Sequence, residues 1–139
     1  MTKFLAAILT AILLSLVMGI YHYVPLDERL ANAHYYSFGY KFTIGLLINL
    51  AIFLFLITPL SILVDGLLMI IKSNNMYFEL LMSIVAYAVL GFIGGIIYSI
   101  FTLNFTTFSA QTIHIIVGSL VFLAFQLIFG RLFSTPKSR

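Results

Sequence analysis

Few side chains in this sequence can do chemistry, and those few lie inside long apolar runs. Asp65 is the chief one, a carboxylate between Ile62-Leu63-Val64 and Leu67-Leu68-Met69. An ionisable group in hydrocarbon is costly and calls for a partner, water or a task. At about 100° per residue, Thr58, Ser61, Asp65 and Lys72 share one helical face within about 60°. Such a face suits a wet cavity or a path for protons or cations, with Asp65 as the exchanging group. The simpler reading is an interfacial carboxylate solvated near Lys72. Asn49 and Gln126 are further strongly polar side chains in apolar runs, so the candidate ion or proton site is Asp65, Ser61, Thr58, Asn49 and Gln126. On an ideal helix Asn49 lies half a turn from Thr58, and it is expected to bond to a different neighbouring helix. Pro59 removes a backbone donor and is expected to kink its helix, and a broken helix can offer carbonyls to an ion.

Other chemistry finds less support. His22, His34 and His114 are the histidines, with His22 and His114 as weak metal candidates near span ends. No H-x-x-x-H or HExxH spacing occurs, and the chain has no cysteine, so thiolate sites and disulfides are excluded. Ser15, Ser61, Ser83 and Ser99 could be nucleophiles only beside a base, and the only plausible bases, the histidines, are expected at the outer boundary. Asn104-Phe105-Thr106 fits the glycosylation pattern, which also arises by chance. The expectation is a non-catalytic protein with no cofactor.

The elements that must position these residues follow from composition. Of 139 residues, 63% are hydrophobic and 8% charged, against roughly 45–50% and about 25% in soluble domains. A soluble enzyme, a disordered tail and a nucleic-acid module are thereby disfavoured. The net charge of +3 comes from scattered Lys and Arg and forms no phosphate-tracking stripe. Four apolar runs, residues 4–24, 42–64, 80–101 and 113–130, each approach the length that crosses a bilayer core of about 30 Å. Lipid requires backbone groups to be satisfied within the segment, so these are expected to be helices, and no period-2 alternation suggests a barrel. The chain reads as one transmembrane domain, residues 1–139, with a basic tail at 131–139. Lys3, Lys72, Arg131, Lys137 and Arg139 fall on one side, and Arg29 and Lys41 on the other. This bias predicts that both termini are cytoplasmic. A cleaved signal peptide ending near Gly19 is the rival reading of the first run.

Small residues recur at four-residue spacing: Ala7, Ala11, Ser15 and Gly19 in the first run, and Gly91, Gly95 and Ser99 in the third. Such stripes let helices approach closely. They are expected to pack on each other within the chain or across a dimer. The fold expected is all-α, a bundle of four transmembrane helices. Its partners are the lipid bilayer and a second copy or another membrane protein.

Several four-span families do not fit. Small multidrug transporters carry a glutamate in the first helix, glutathione-transferase-like membrane enzymes need intrahelical Arg and Glu, and vitamin K epoxide reductase relatives need cysteines. In size, span pattern and lysine-light tail the chain resembles the uncharacterised small four-span membrane proteins of Gram-positive bacteria. That resemblance implies a multi-pass protein of the cell membrane and no activity. The residues favour an accessory, packing or regulatory membrane protein. The alternative is a small oligomeric transporter or channel using Asp65.

Overall fold

The computed structural model describes residues 1–25, 34–71, 75–103 and 106–133. Asp27, Glu28, Arg29, Lys72, the Ser73-Asn74 turn, Asn104-Phe105 and the tail beyond Phe133 lie outside them. Four helices make up the fold: α1 (Thr2–Tyr21), α2 (Phe38–Ile70), α3 (Met76–Thr102) and α4 (Phe108–Phe133). No strand occurs among the described residues. Each helix is long and apolar enough to cross a membrane.

Helices α2 and α3 begin ahead of their apolar runs, where polar residues start them. Ser37 Oγ accepts from the Tyr40 N–H at 3.2 Å, and Asn75 Oδ1 accepts from the Tyr77 N–H at 3.0 Å. Each thus satisfies one of the orphan donors of a first turn. Glu79, in the first turn of α3, lies where a helix end favours negative charge.

The expected break at Pro59 takes a specific form. Residues Ile52–Ile57 are wound as a π-helix, and α-helix resumes at Thr58. The Thr58 N–H and the Thr58 hydroxyl both donate to the Phe53 carbonyl, the latter at 2.7 Å. Local π winding and a threonine hydroxyl are means of satisfying backbone groups near a membrane proline. Thr58→Val keeps the shape and removes one donor, so a loss of about 1 kcal/mol is expected. A thermal melt in lipid discs identical to that of the parent would show that the hydroxyl contributes nothing.

The winding also sets the phase of the helix. On a regular α-helix Asn49 and Asp65 would point about 160° apart. Residues in a π stretch, bonded from i to i+5, each turn the chain by less. In the structure both side chains point into the bundle, Asn49 toward α1 and α4, Asp65 toward α1, α3 and α4.

Successive helices run antiparallel. Lys41 near the start of α2 reaches the His22 carbonyl at the end of α1, while Asp65 late in α2 meets Lys3 at the start of α1. Gly95 faces Thr112 and Gly91 faces Ile116, so α3 and α4 also run oppositely. Helix α4 closes back onto α1. The start of α1 and the end of α4 therefore share one end of the bundle, called here the terminal end.

The interior is the reverse of a soluble core. Phe53, Ile57, Tyr87, Leu90, Ile115 and Phe122 fill its centre, but Thr10, Ser15, Asn49, Ser61, Ser99, Thr112 and Ser119 are buried with them. The outer surface carries large apolar side chains, among them Phe55, Ile70 and Phe101, each more than 80% exposed. A surface this apolar would drive association in water; facing lipid, it is the expected arrangement.

Of the two arrangements expected for the small-residue stripes, packing on each other within the chain is not formed. A Cβ on Gly91 would lie 2.6 Å from Ile116 Cα, and one on Gly95 2.9 Å from Thr112 Cα, so the α3 stripe is filled by α4. The α1 stripe faces α2 and α4: Gly19 lies against Phe38 and Ser15 against Gly45, while Ala7 and Ala11 are fully buried. Antiparallel order makes sequence neighbours spatial neighbours, which places α1 and α3 on a diagonal.

Candidate functional site

Polar side chains from all four helices converge near the terminal end. Asp65 on α2 is at their centre. Its Oδ2 is 2.7 Å from Lys3 Nζ of α1 and accepts from Gln126 Nε2 of α4 at 2.8 Å. Its Oδ1 accepts from the Tyr87 hydroxyl of α3 at 2.8 Å. Lys3 also donates to Ser61 Oγ at 3.2 Å, and Ser61 in turn donates to the Thr58 carbonyl at 2.7 Å. The ion pair is roughly three-quarters buried on both sides. Lys3 stands at the first turn of α1, where its aliphatic stem can lie along the apolar surface while its ammonium reaches inward.

The cluster contains an unequal count of donors and acceptors. The Tyr87 hydroxyl lies 2.8 Å from Gln126 Oε1 as well as from Asp65 Oδ1. A phenol has one proton to donate, so two acceptors share it while Asp65 is ionised. Tyr87 is fixed in place: its ring stacks on Phe122 at 6.2 Å, and its carbonyl accepts from Ser119 Oγ at 2.7 Å. Tyr87→Phe removes the hydroxyl and leaves the stacking, and is expected to lower stability by about 1 kcal/mol, the scale of interhelical hydrogen bonds in membranes. An unfolding free energy equal to that of the parent would show that the hydroxyl does not tie the helices.

Asp65 and Gln126 also line a cavity of about 320 Å³ between α2, α3 and α4. Glu79 and Ser83 line it too. Chemically, the site offers a carboxylate that can exchange its lysine partner for a proton or a cation arriving through this cavity.

The sequence-derived candidates divide into two groups. Asp65, Ser61 and Gln126 come together. Thr58 stands beside them through its carbonyl, while its hydroxyl serves the backbone. Asn49 belongs to a second cluster in the other half of the bundle. There Asn49 Nδ2 donates to Ser15 Oγ of α1 at 2.9 Å, and Asn49 Oδ1 lies 3.1 Å from His114 Nε2 of α4. His22, the other weak metal candidate, has its ring edge-on to Tyr21 at 5.2 Å and its carbonyl bonded to Lys41. No group of three or more His, Asp or Glu suited to a metal gathers among the described residues. Lys72, the expected neighbour of Asp65, lies outside the described residues, and the cation found beside Asp65 is Lys3.

Two members of the site escaped sequence reasoning. From the sequence alone Lys3 is only an orienting charge, and Tyr87 does not stand out within its apolar run. The available signals were a cation at the start of one run at a depth matching Asp65 near the end of another, and a phenol far from either span end.

No protein-family model matches the chain, and no curated protein or solved structure does either.

Proposed function

We propose that this protein is a non-catalytic accessory or regulatory protein of the cell membrane, both termini cytoplasmic, whose four helices are clasped at the inner end. The location follows the resemblance, in size, span pattern and lysine-light tail, to the uncharacterised small four-span membrane proteins of Gram-positive bacteria. The observation that carries the reading is the Asp65 cluster. Its carboxylate receives an ammonium, a phenol and an amide, each from a different helix. A buried ion pair is weak evidence for stability, and in some proteins such a group fixes one arrangement of helices, which is what a protein acting through its shape requires. The two small-residue stripes are occupied within the chain, so association with a partner falls to the apolar outer face.

The alternative is a small oligomeric transporter or channel with Asp65 as a proton or cation site. The cavity of about 320 Å³ beside Asp65 and Glu79 favours it, because the carboxylate's residue forms part of its lining. One experiment separates the readings. Asp65→Asn and the parent are reconstituted in liposomes, and proton and monovalent-cation fluxes are measured beside unfolding in lipid discs. The clasp reading expects lower stability and no flux in either protein. A flux in the parent that Asp65→Asn abolishes, with the fold retained, overturns it in favour of transport.

A further inference from the structure

The half of the bundle away from the terminal end holds a separate cavity of about 290 Å³. Its walls are largely apolar, with Ile48 and Ile52 among them, and Asn49, Gln111, His114 and Tyr98 supply the polar atoms. This combination of apolar walls with a few convergent polar groups is typical of small-molecule sites.

The hydrogen-bond chain beside the cavity fixes what those polar atoms present. Ser15 Oγ donates to the Ala11 carbonyl at 2.6 Å, so toward Asn49 it can only accept. Asn49 therefore turns its Nδ2 to Ser15 and its Oδ1 to His114. That oxygen requires a donor, so His114 carries its proton on Nε2, and in the neutral ring Nδ1 is left as an acceptor. Gln111 lies three residues earlier, on the same face of α4. Its Oε1 is buried with no partner. A buried acceptor without a donor is costly; Gln111 and His114 both line the cavity, and a turn of the Gln111 amide would bring its unpartnered Oε1 to the cavity face.

From this geometry we propose that the cavity binds a small lipophilic phenol, with its hydroxyl donating to Gln111 Oε1 and its ring among the apolar walls. The volume is about twice that of a cavity of roughly 150 Å³ that holds benzene, enough for a ring with alkyl branches. A rigid ring loses less freedom on binding than a flexible chain, and the Tyr98 ring is at hand for aromatic contact. The required chemistry is a hydroxyl donor; an acyl chain or an ether lacks it.

The test uses the full chain in lipid discs, with diisopropylphenol as probe and diisopropylbenzene as its donor-free counterpart. Saturable binding of the phenol, tighter than that of the benzene by about ten-fold, is expected for one hydrogen bond to a buried acceptor. A photoreactive analogue of the phenol should label residues lining this cavity. Gln111→Leu should bring the affinity for the phenol down to that for the benzene. Ala110 is exposed at the cavity's edge, so Ala110→Phe should block binding with the melting temperature unchanged, which keeps the test valid if Gln111→Leu fails to fold. Equal affinity for the two compounds, as for a cavity filled by any hydrophobe or acyl chain, overturns the proposal. So does labelling that ignores Ala110→Phe.

Discussion

Gly91→Leu is expected to force α3 away from α4 and to destabilise the bundle by about 3 kcal/mol or more, at or beyond the upper end of ordinary overpacking. The neighbours set the size of the effect. Even a single Cβ at Gly91 would stand 2.5 Å from Ser119 Oγ, 2.6 Å from Ile116 Cα and 3.1 Å from the Ile115 carbonyl. Side chains can rotate aside, but the α4 backbone can yield only by a shift of the whole helix away from α3. Membrane helices associate chiefly through such close packing, since lipid supplies no hydrophobic drive between them. Separation here would also pull Ser119 from the Tyr87 carbonyl and so loosen the Asp65 cluster. Gly130 and Gly66 are the controls, because nothing lies within 4 Å of a Cβ at either. Alanine at those positions should change stability by less than about 1 kcal/mol, and in the stabilising direction by helix propensity. Equilibrium unfolding in lipid discs decides it: similar losses for Gly91→Leu and the controls would refute the assigned α3–α4 seam.

The second large effect concerns the ion pair, and it should be asymmetric. Lys3→Met leaves the Asp65 carboxylate among four helices without a cation. A loss of about 2–3 kcal/mol is expected, somewhat below the roughly 3–5 kcal/mol for a fully buried pair, because both groups retain some exposure. Asp65→Asn should cost less. The freed Lys3, in the first turn of α1 and partly exposed, can turn its ammonium toward water, and the asparagine can still accept from Tyr87. The double variant should recover most of the Lys3→Met loss, as neutral replacements of buried pairs usually do. Additive losses across this cycle would mean that Lys3 and Asp65 do not interact.

Much of the fold was legible in the sequence, because lipid leaves few choices. Long uncharged runs must be helices, four of them with short connections must alternate in direction, and glycine at four-residue spacing must mark close contact. Asp65, Gln126 and Asn49 stood out for the same reason, as polar groups that hydrocarbon does not tolerate unpaired. Their grouping did not follow. The helical wheel placed Thr58, Ser61 and Asp65 on one face and Asn49 on the other, which holds only for uniform winding. Pro59 announced a disturbance, and its type, a π stretch bonded through Thr58 to Phe53, depended on neighbours that the local sequence does not contain.

What the sequence by itself determined, then, is the class of solvent around this protein, the number and character of its helices, and the side chains that would need partners. These depend on transfer free energies of individual residues and on periodicities within a segment. Only the tertiary structure decided that Lys3 reaches Asp65, that the Tyr87 hydroxyl lies between Asp65 and Gln126, that Asn49 bridges Ser15 and His114, and that the α3 glycines meet α4 rather than α1. Each is a contact between segments distant along the chain. Its formation depends on helix phase and on which neighbour lies across the diagonal, quantities set by the packing of all four helices at once.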